Sequence, residues 1–292
     1  MASFSIDLFE QKFDLDALDQ TVHASVDLAA QDPYFLYLFF HRYTYFNGYA
    51  SAMIARLASS IGLSRYLFVH PEAAVTEEAD RGMEIAAKIL TAAADEGTYE
   101  NPSHRALAQL TLKTVGNYAN LSAAQRNQFA APIWLERLVQ DLITSYQGIP
   151  GNIESLIRGI GLHIASEILG DREYALIDKV IRHDYADVRF DQFLKQQASN
   201  GKIGEHQFHP WCWIVIHSRH EGEGIEVEHA DYALTALELA TQYRPESQEQ
   251  IWDWAAQGFS EFANLQQKLF QEIYRECLEL RQQREAKTVV SV

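Results

Sequence analysis

The run from His217 to His229 reads HSRHEGEGIEVEH and mixes three histidines with four glutamates. It follows directly on the apolar stretch Trp211 to Ile216. A second mixed stretch lies upstream, Asp95-Glu96-Gly97 followed by His104-Arg105-Ala106-Leu107. Imidazoles and carboxylates set this densely suit a borderline-hard metal such as iron, which takes nitrogen and oxygen ligands together. His217 and Glu221 are one helical turn apart, and Glu226 and His229 are three residues apart, so each pair shares a helix face. Gly222 and Gly224 disturb the helix between the two pairs. Either Glu221 or Glu226 is then the carboxylate of this group, and His220 is the alternative to His217. Glu223 and Glu228 read as members of a solvated acidic turn.

Glu167 stands in the apolar segment GIGLHIASEILG. A carboxylate there must reach solvent or find a partner, because burying it bare is prohibitive. His163 lies four residues earlier on the same face, as a ligand, a hydrogen-bond donor to one, or a satisfied core histidine. Glu96 and His104 are eight residues apart across Gly97 and Pro102, so a bend is needed to bring them onto one ion. The plain alternative for that pair is an acidic helix end followed by a histidine in the next first turn.

The elements that must position these residues read as almost entirely helical. Apolar positions recur with helical period, and hairpin signals and internal repeats are absent. Asp32-Pro33 opens a segment apolar around nearly its whole circumference, with Gly62 as its C-cap. Further helices are expected from Thr76-Glu77-Glu78 to Glu96, from an N-cap at Ser103, from Pro132, within Gly151 to Arg182, from Glu226, and from about Gln248 to Arg284. The tail AKTVVSV is expected to fray. The expected fold class is all-α, over a single domain 1–292. It carries an N-terminal extension at 1–32, an ordered insertion or long loop at 184–209 and a C-terminal helix at 246–285.

Composition narrows the function classes. The net charge of −16 argues against nonspecific binding to nucleic acid or to an anionic membrane surface. Cys212 and Cys277 are too few for a disulfide framework or a cysteine zinc site. The N-terminal stretch MASFSIDLFEQKFDLD lacks the basic and apolar regions of a secretory signal, and no apolar run is long enough for a transmembrane helix. A soluble cytoplasmic protein is expected.

The order of these motifs resembles the heme-oxygenase-like diiron oxidases and oxygenases, a helical superfamily that also contains metal-free enzymes. Its metal-binding members carry a Glu with a downstream His on one core helix, a single Glu on a later one, and His-x3-Asp-x2-His on a third. Glu96 and His104, flanked by DEG and HRAL, match the first pair, and Glu167 within ASEILG matches the single glutamate. WIVIH ending at His217 and EVEHADYAL around His229 match the two ends of the third pattern. Glu221 has the family spacing from His217, and Glu226 has it from His229. The chain departs from the pattern in about five extra residues there and in a glutamate replacing the aspartate. The resemblance covers roughly 33 to 242. It implies a bundle of about seven core helices with extra terminal helices, two Fe(II) ions per chain, and O2 as cosubstrate.

By the same resemblance the substrate is an amino acid or other amine-bearing small molecule, or a fatty acid. The reaction is N-oxygenation or oxidative C–C cleavage, in specialised metabolism. Tyr43, Tyr45, Phe46 and Tyr49 are candidates for the pocket wall or the core. Two other classes use the same residues differently. One is a metal-free enzyme on this scaffold, such as a thiaminase-like hydrolase or a quinone-cofactor synthase, with the carboxylates and histidines as general acids and bases. The other is a noncatalytic helical protein whose C-terminal helix docks a partner or a second copy as a homodimer.

Overall fold

The computed structural model describes residues 4–69, 81–96, 102–127, 129–197, 201–218 and 225–290. They fold into helices, with one short hairpin. Helices α1 (Ile6–Lys12) and α2 (Leu15–Ala30) lead into α3 (Pro33–Asn47) and α4 (Ala50–Leu63). After α5 (Arg81–Glu96) come α6 (His104–Tyr118), the short α7 (Ala123–Asn127), α8 (Ile133–Tyr146) and the long α9 (Ile153–Asp178). A π-helical turn, Lys179–Asp184, prolongs α9 and is followed by α10 (Arg189–Gln197). Strands β1 (Gly201–Ile203) and β2 (His206–Phe208) precede α11 (Cys212–His217), α12 (Ile225–Gln242) and α13 (Gln248–Val290).

The helix starts follow from local chemistry. The Asp32 carboxylate accepts the backbone N–H groups of Tyr34 (2.8 Å) and Phe35 (3.2 Å), and Pro33 sits where a missing N–H does no harm. Ser103 caps α6 by accepting from Ala106 N (3.2 Å), and Asn152 caps α9 by accepting from Ser155 N (3.1 Å). The expected helix start at Thr76-Glu77-Glu78 lies outside the described residues.

Three local expectations are corrected. The single helix predicted from Pro33 to a cap at Gly62 is broken at Gly48 and Tyr49, and Gly62 lies inside α4. Gly48 N–H reaches back only three residues, to Tyr45 O (3.4 Å), which tightens and ends α3. A hairpin occupies part of the stretch 184–209, with Ile203 paired to His206 across the two-residue turn Gly204-Glu205. Gly204 has φ +60°, the positive value this kind of turn needs at its first position. Lastly α13 continues through Val290, so the tail is helical beyond the Arg284 boundary.

The long α9 is the axis of the molecule. It packs against α13, α12, α11, α2, α4 and α8. Its closest crossing is with α13, where a Cβ on Gly161 would collide with the Ala255 carbonyl and one on Gly258 with the Arg158 carbonyl. The two backbones therefore touch at that point. The N-terminal helices join the same core, with Phe9 stacked on Phe259 (5.1 Å) and Phe13 on Phe259 (4.4 Å). Both cysteines are free thiols. Among the described residues no helix is long and apolar enough to cross a membrane.

Candidate metal centre

Four helices bring polar side chains to the interior beside α9. His104 is the first residue of α6, Glu167 lies midway along α9, His217 ends α11, and His229 lies one turn into α12. All four are buried, at 8%, 5%, 1% and 1% exposure. Buried polar groups of this kind are not a packing solution, since Leu or Phe would fill the space without a desolvation cost.

His217 Nε2 stands 3.0 Å from His104 Nδ1, with the rings edge to face and centroids 4.5 Å apart. The other His217 nitrogen, Nδ1, faces the Trp213 carbonyl oxygen. A carbonyl only accepts, so Nδ1 carries the proton and Nε2 presents its lone pair to His104. Burial, with His104 and then His229 nearby, pulls the His217 pKa down to about 3, against smaller opposing effects from the Trp213 carbonyl and Glu167. The ring is therefore neutral at physiological pH, the form that binds metals. Tyr174 stacks on it at 4.5 Å and 21°, which fixes its plane.

Glu167 turns its two oxygens to two histidines. Oε1 is 3.1 Å from His163 Nδ1, and Oε2 is 3.4 Å from His229 Nδ1. His163 Nδ1 also meets the Tyr146 hydroxyl at 2.6 Å, and Ser166 Oγ lies 3.3 Å from Glu167 Oε1. Among the described residues His163 Nε2 is buried without a hydrogen-bonding partner. His163 thus stands behind Glu167, between that carboxylate and Tyr146. The two groups, His104 with His217 and Glu167 with His229, act on one another, because both Glu167 and His229 influence the ionisation of His217.

Glu96 is the last residue of α5 and Glu226 lies in the first turn of α12, but the side chains of both are outside the described residues, as are His220 and Glu221 entirely. As the side chains stand, no group of three His, Cys, Asp or Glu among the described residues is arranged to hold a metal ion. The chemistry of the donor set nonetheless fits a borderline metal. Two imidazole nitrogens bonded at about 2.1 Å to one ion, at right angles around it, stand about 3.0 Å apart. The His104 to His217 separation matches that value, and it is equally the length of a hydrogen bond donated by His104 Nδ1 to His217 Nε2.

A cavity of about 410 Å³ opens on this cluster, with Ser103, His104, Glu167, Tyr174 and His217 on its wall. Phe46 lines it, as expected of the α3 aromatics. Tyr43 is fully buried and reaches the wall through Glu173, which accepts its hydroxyl at 2.5 Å. Tyr45 and Tyr49 instead pair with one another at 6.2 Å, and Tyr49 is 37% exposed. Glu173, Tyr146 and Tyr174 are wall residues that the sequence analysis did not single out. Glu173 sits beside Asp171 and Arg172 in a polar-looking patch, and its helical phase, six residues on from Glu167, does not place it on the Glu167 face. Comparison with protein-family models, with curated proteins and with solved structures gave no match.

Proposed function

We propose that the chain is a non-heme diiron enzyme of the heme-oxygenase-like helical class, which uses O2 to oxidise an amino acid or another small amine. The observation that supports this reading best is the buried contact of His217 with His104 at 3.0 Å, next to Glu167 and His229. The residues that would hold iron are His104, Glu167, His217 and His229, completed by Glu96 and by Glu221 or Glu226. Iron bound there supplies the redox chemistry that side chains lack. The protein's own groups do the rest. The Trp213 carbonyl holds the His217 proton on Nδ1, so that Nε2 keeps its lone pair toward the site. Tyr146 and Ser166 orient His163 and Glu167 from behind. The apolar part of the cavity wall, including Trp213 and Phe262, limits bulk water around a small substrate.

The test is anaerobic loading with Fe(II) followed by iron analysis. The parent should hold about two ions per chain, and its optical spectrum should change on exposure to O2. Glu167→Ala and His229→Ala should each lose iron while keeping a helical circular-dichroism spectrum. Of Glu221→Ala and Glu226→Ala, the one that loses an ion identifies the remaining carboxylate. Parent-like iron in both Glu167→Ala and His229→Ala would overturn the assignment, and no stoichiometric iron in the parent would favour the metal-free enzyme.

A further inference from the structure

The wall of the same cavity carries a second buried carboxyl. Glu173 is 5% exposed and faces the same 410 Å³ space. Its partners are neutral. The Tyr43 hydroxyl from α3 meets Oε1 at 2.5 Å, and the Gln266 amide from α13 donates to Oε2. The surrounding wall is largely apolar, with Phe46, Met53, Ile54, Leu142, Trp213 and Phe262. A carboxyl in such a place has a fixed position and no countercharge from the groups that hydrogen-bond it.

We infer that Glu173 is the recognition residue for the amino group of the substrate, pairing with an ammonium while the apolar wall takes the rest of the molecule. The inference rests on the reading of the cavity as a substrate site and names the substrate class as primary amines with an apolar body. The electrostatics at Glu173 itself favour a cation; Arg105, on the same wall, donates to the Gly48 carbonyl instead. Burial pushes the Glu173 pKa up to about 8, even against the hydrogen bonds from Tyr43 and Gln266. An arriving ammonium reverses that penalty, since an opposite charge in contact favours the ionised carboxylate. A carboxylate ligand meets the reverse situation, and an alcohol gains a hydrogen bond but no ion pair. Tyr43 and Gln266 keep the carboxyl aimed, so little order has to be created on binding. The cavity volume accepts a small molecule and excludes a polymer.

The experiment is calorimetric titration of the full chain with three probes of one shape, hexylamine, hexanol and hexanoate, at pH 7.5, before and after chelation. Hexylamine should bind at least about tenfold more tightly than the other two, with the preference kept after chelation. Glu173→Gln should lose that preference, and Glu167→Gln should keep it. A series in which hexanoate or hexanol binds as well as hexylamine overturns the inference on the parent protein alone, whatever Glu173→Gln does to folding. Loss of the preference in Glu167→Gln but not in Glu173→Gln overturns it as well, by moving the amine to the metal carboxylate. Persistence after chelation separates this outcome from the fate of the iron assignment, which the iron count decides.

Discussion

His217 is held from three sides, by the Trp213 carbonyl along the helix, the Tyr174 ring beneath it and His104 across the interior. Glu173 is held in the same manner by Tyr43 and Gln266, but its ionisation is pushed the other way. Its folded pKa is about 8 against an ordinary 4.5. Below pH 4.5 both folded and unfolded chains hold this proton and it has no effect on stability. As the pH rises past 4.5 the unfolded chain ionises first, so the folded state loses relative stability until the pH passes about 8. Glu173→Gln should remove that slope, so its melting temperature should gain on the parent between pH 5 and 8. In free energy the corresponding gain in stability should be on the order of a few kcal/mol, as expected for a strongly perturbed carboxyl. An unchanged gap between variant and parent at the two pH values would show that Glu173 is not a buried neutral acid. The contrast between these two residues also explains what could be read from the chain itself. Glu167 and His217 are conspicuous because one interrupts an apolar run and the other ends one; that marks them as candidates, and for Glu167 it left solvent or a buried partner open. Glu173 is flanked by Asp171, Arg172 and Tyr174, so composition marks the patch as surface. Its inward aim depends on how α9 is rotated against α3 and α13, which is a tertiary property.

At the scale of elements, the position of Glu167 and Glu173 is set by where α9 crosses α13. Gly161 and Gly258 allow backbone contact there, and any side chain at either position meets a carbonyl of the opposing helix. Gly258→Ala should force the helices apart and lower stability by roughly 1–3 kcal/mol, the usual cost of overpacking, or more. It should also weaken iron retention, because α9 carries Glu167. Chemical denaturation compared with the parent measures the first effect, and a variant as stable as the parent would mean that the crossing is looser than the structure has it. Helix starts were legible where their signals are local: Asp32-Pro33 and Ser103 each cap through contacts within three residues. The break at Gly48 did carry a signal, the Asn47-Gly48 pair, which was outweighed by the apolar residues on both sides of it. The hairpin was missed for a related reason. Its two strands have three residues each, too few to show alternation, although Gly204 before Glu205 is the residue its turn requires.

For the whole molecule, the candidate centre draws one residue each from α6, α9, α11 and α12, elements spread along the chain from residue 104 to residue 242. An ion bound to all of them ties distant parts of the fold together and binds poorly to the unfolded chain. Fe(II) at about a hundred times its dissociation constant should then add roughly 2.7 kcal/mol of stability. For a chain of this size that corresponds to a melting-temperature rise of roughly 4 °C. The net charge of −16 offers a competing explanation, since any divalent cation screens an acidic surface. Mg2+ separates the two. It is a hard cation that takes oxygen ligands and keeps its waters, so it gains little from His104, His217 and His229. Fe(II) should therefore raise the melting temperature of the parent where equal Mg2+ does not, and His217→Ala should abolish the difference. Zn2+, which accepts the same nitrogen and oxygen donors without redox chemistry, should stabilise the parent without supporting O2 consumption. An equal rise with Mg2+ and Fe(II) would assign the effect to surface charge and remove the support that the clustered histidines lend to a metal centre.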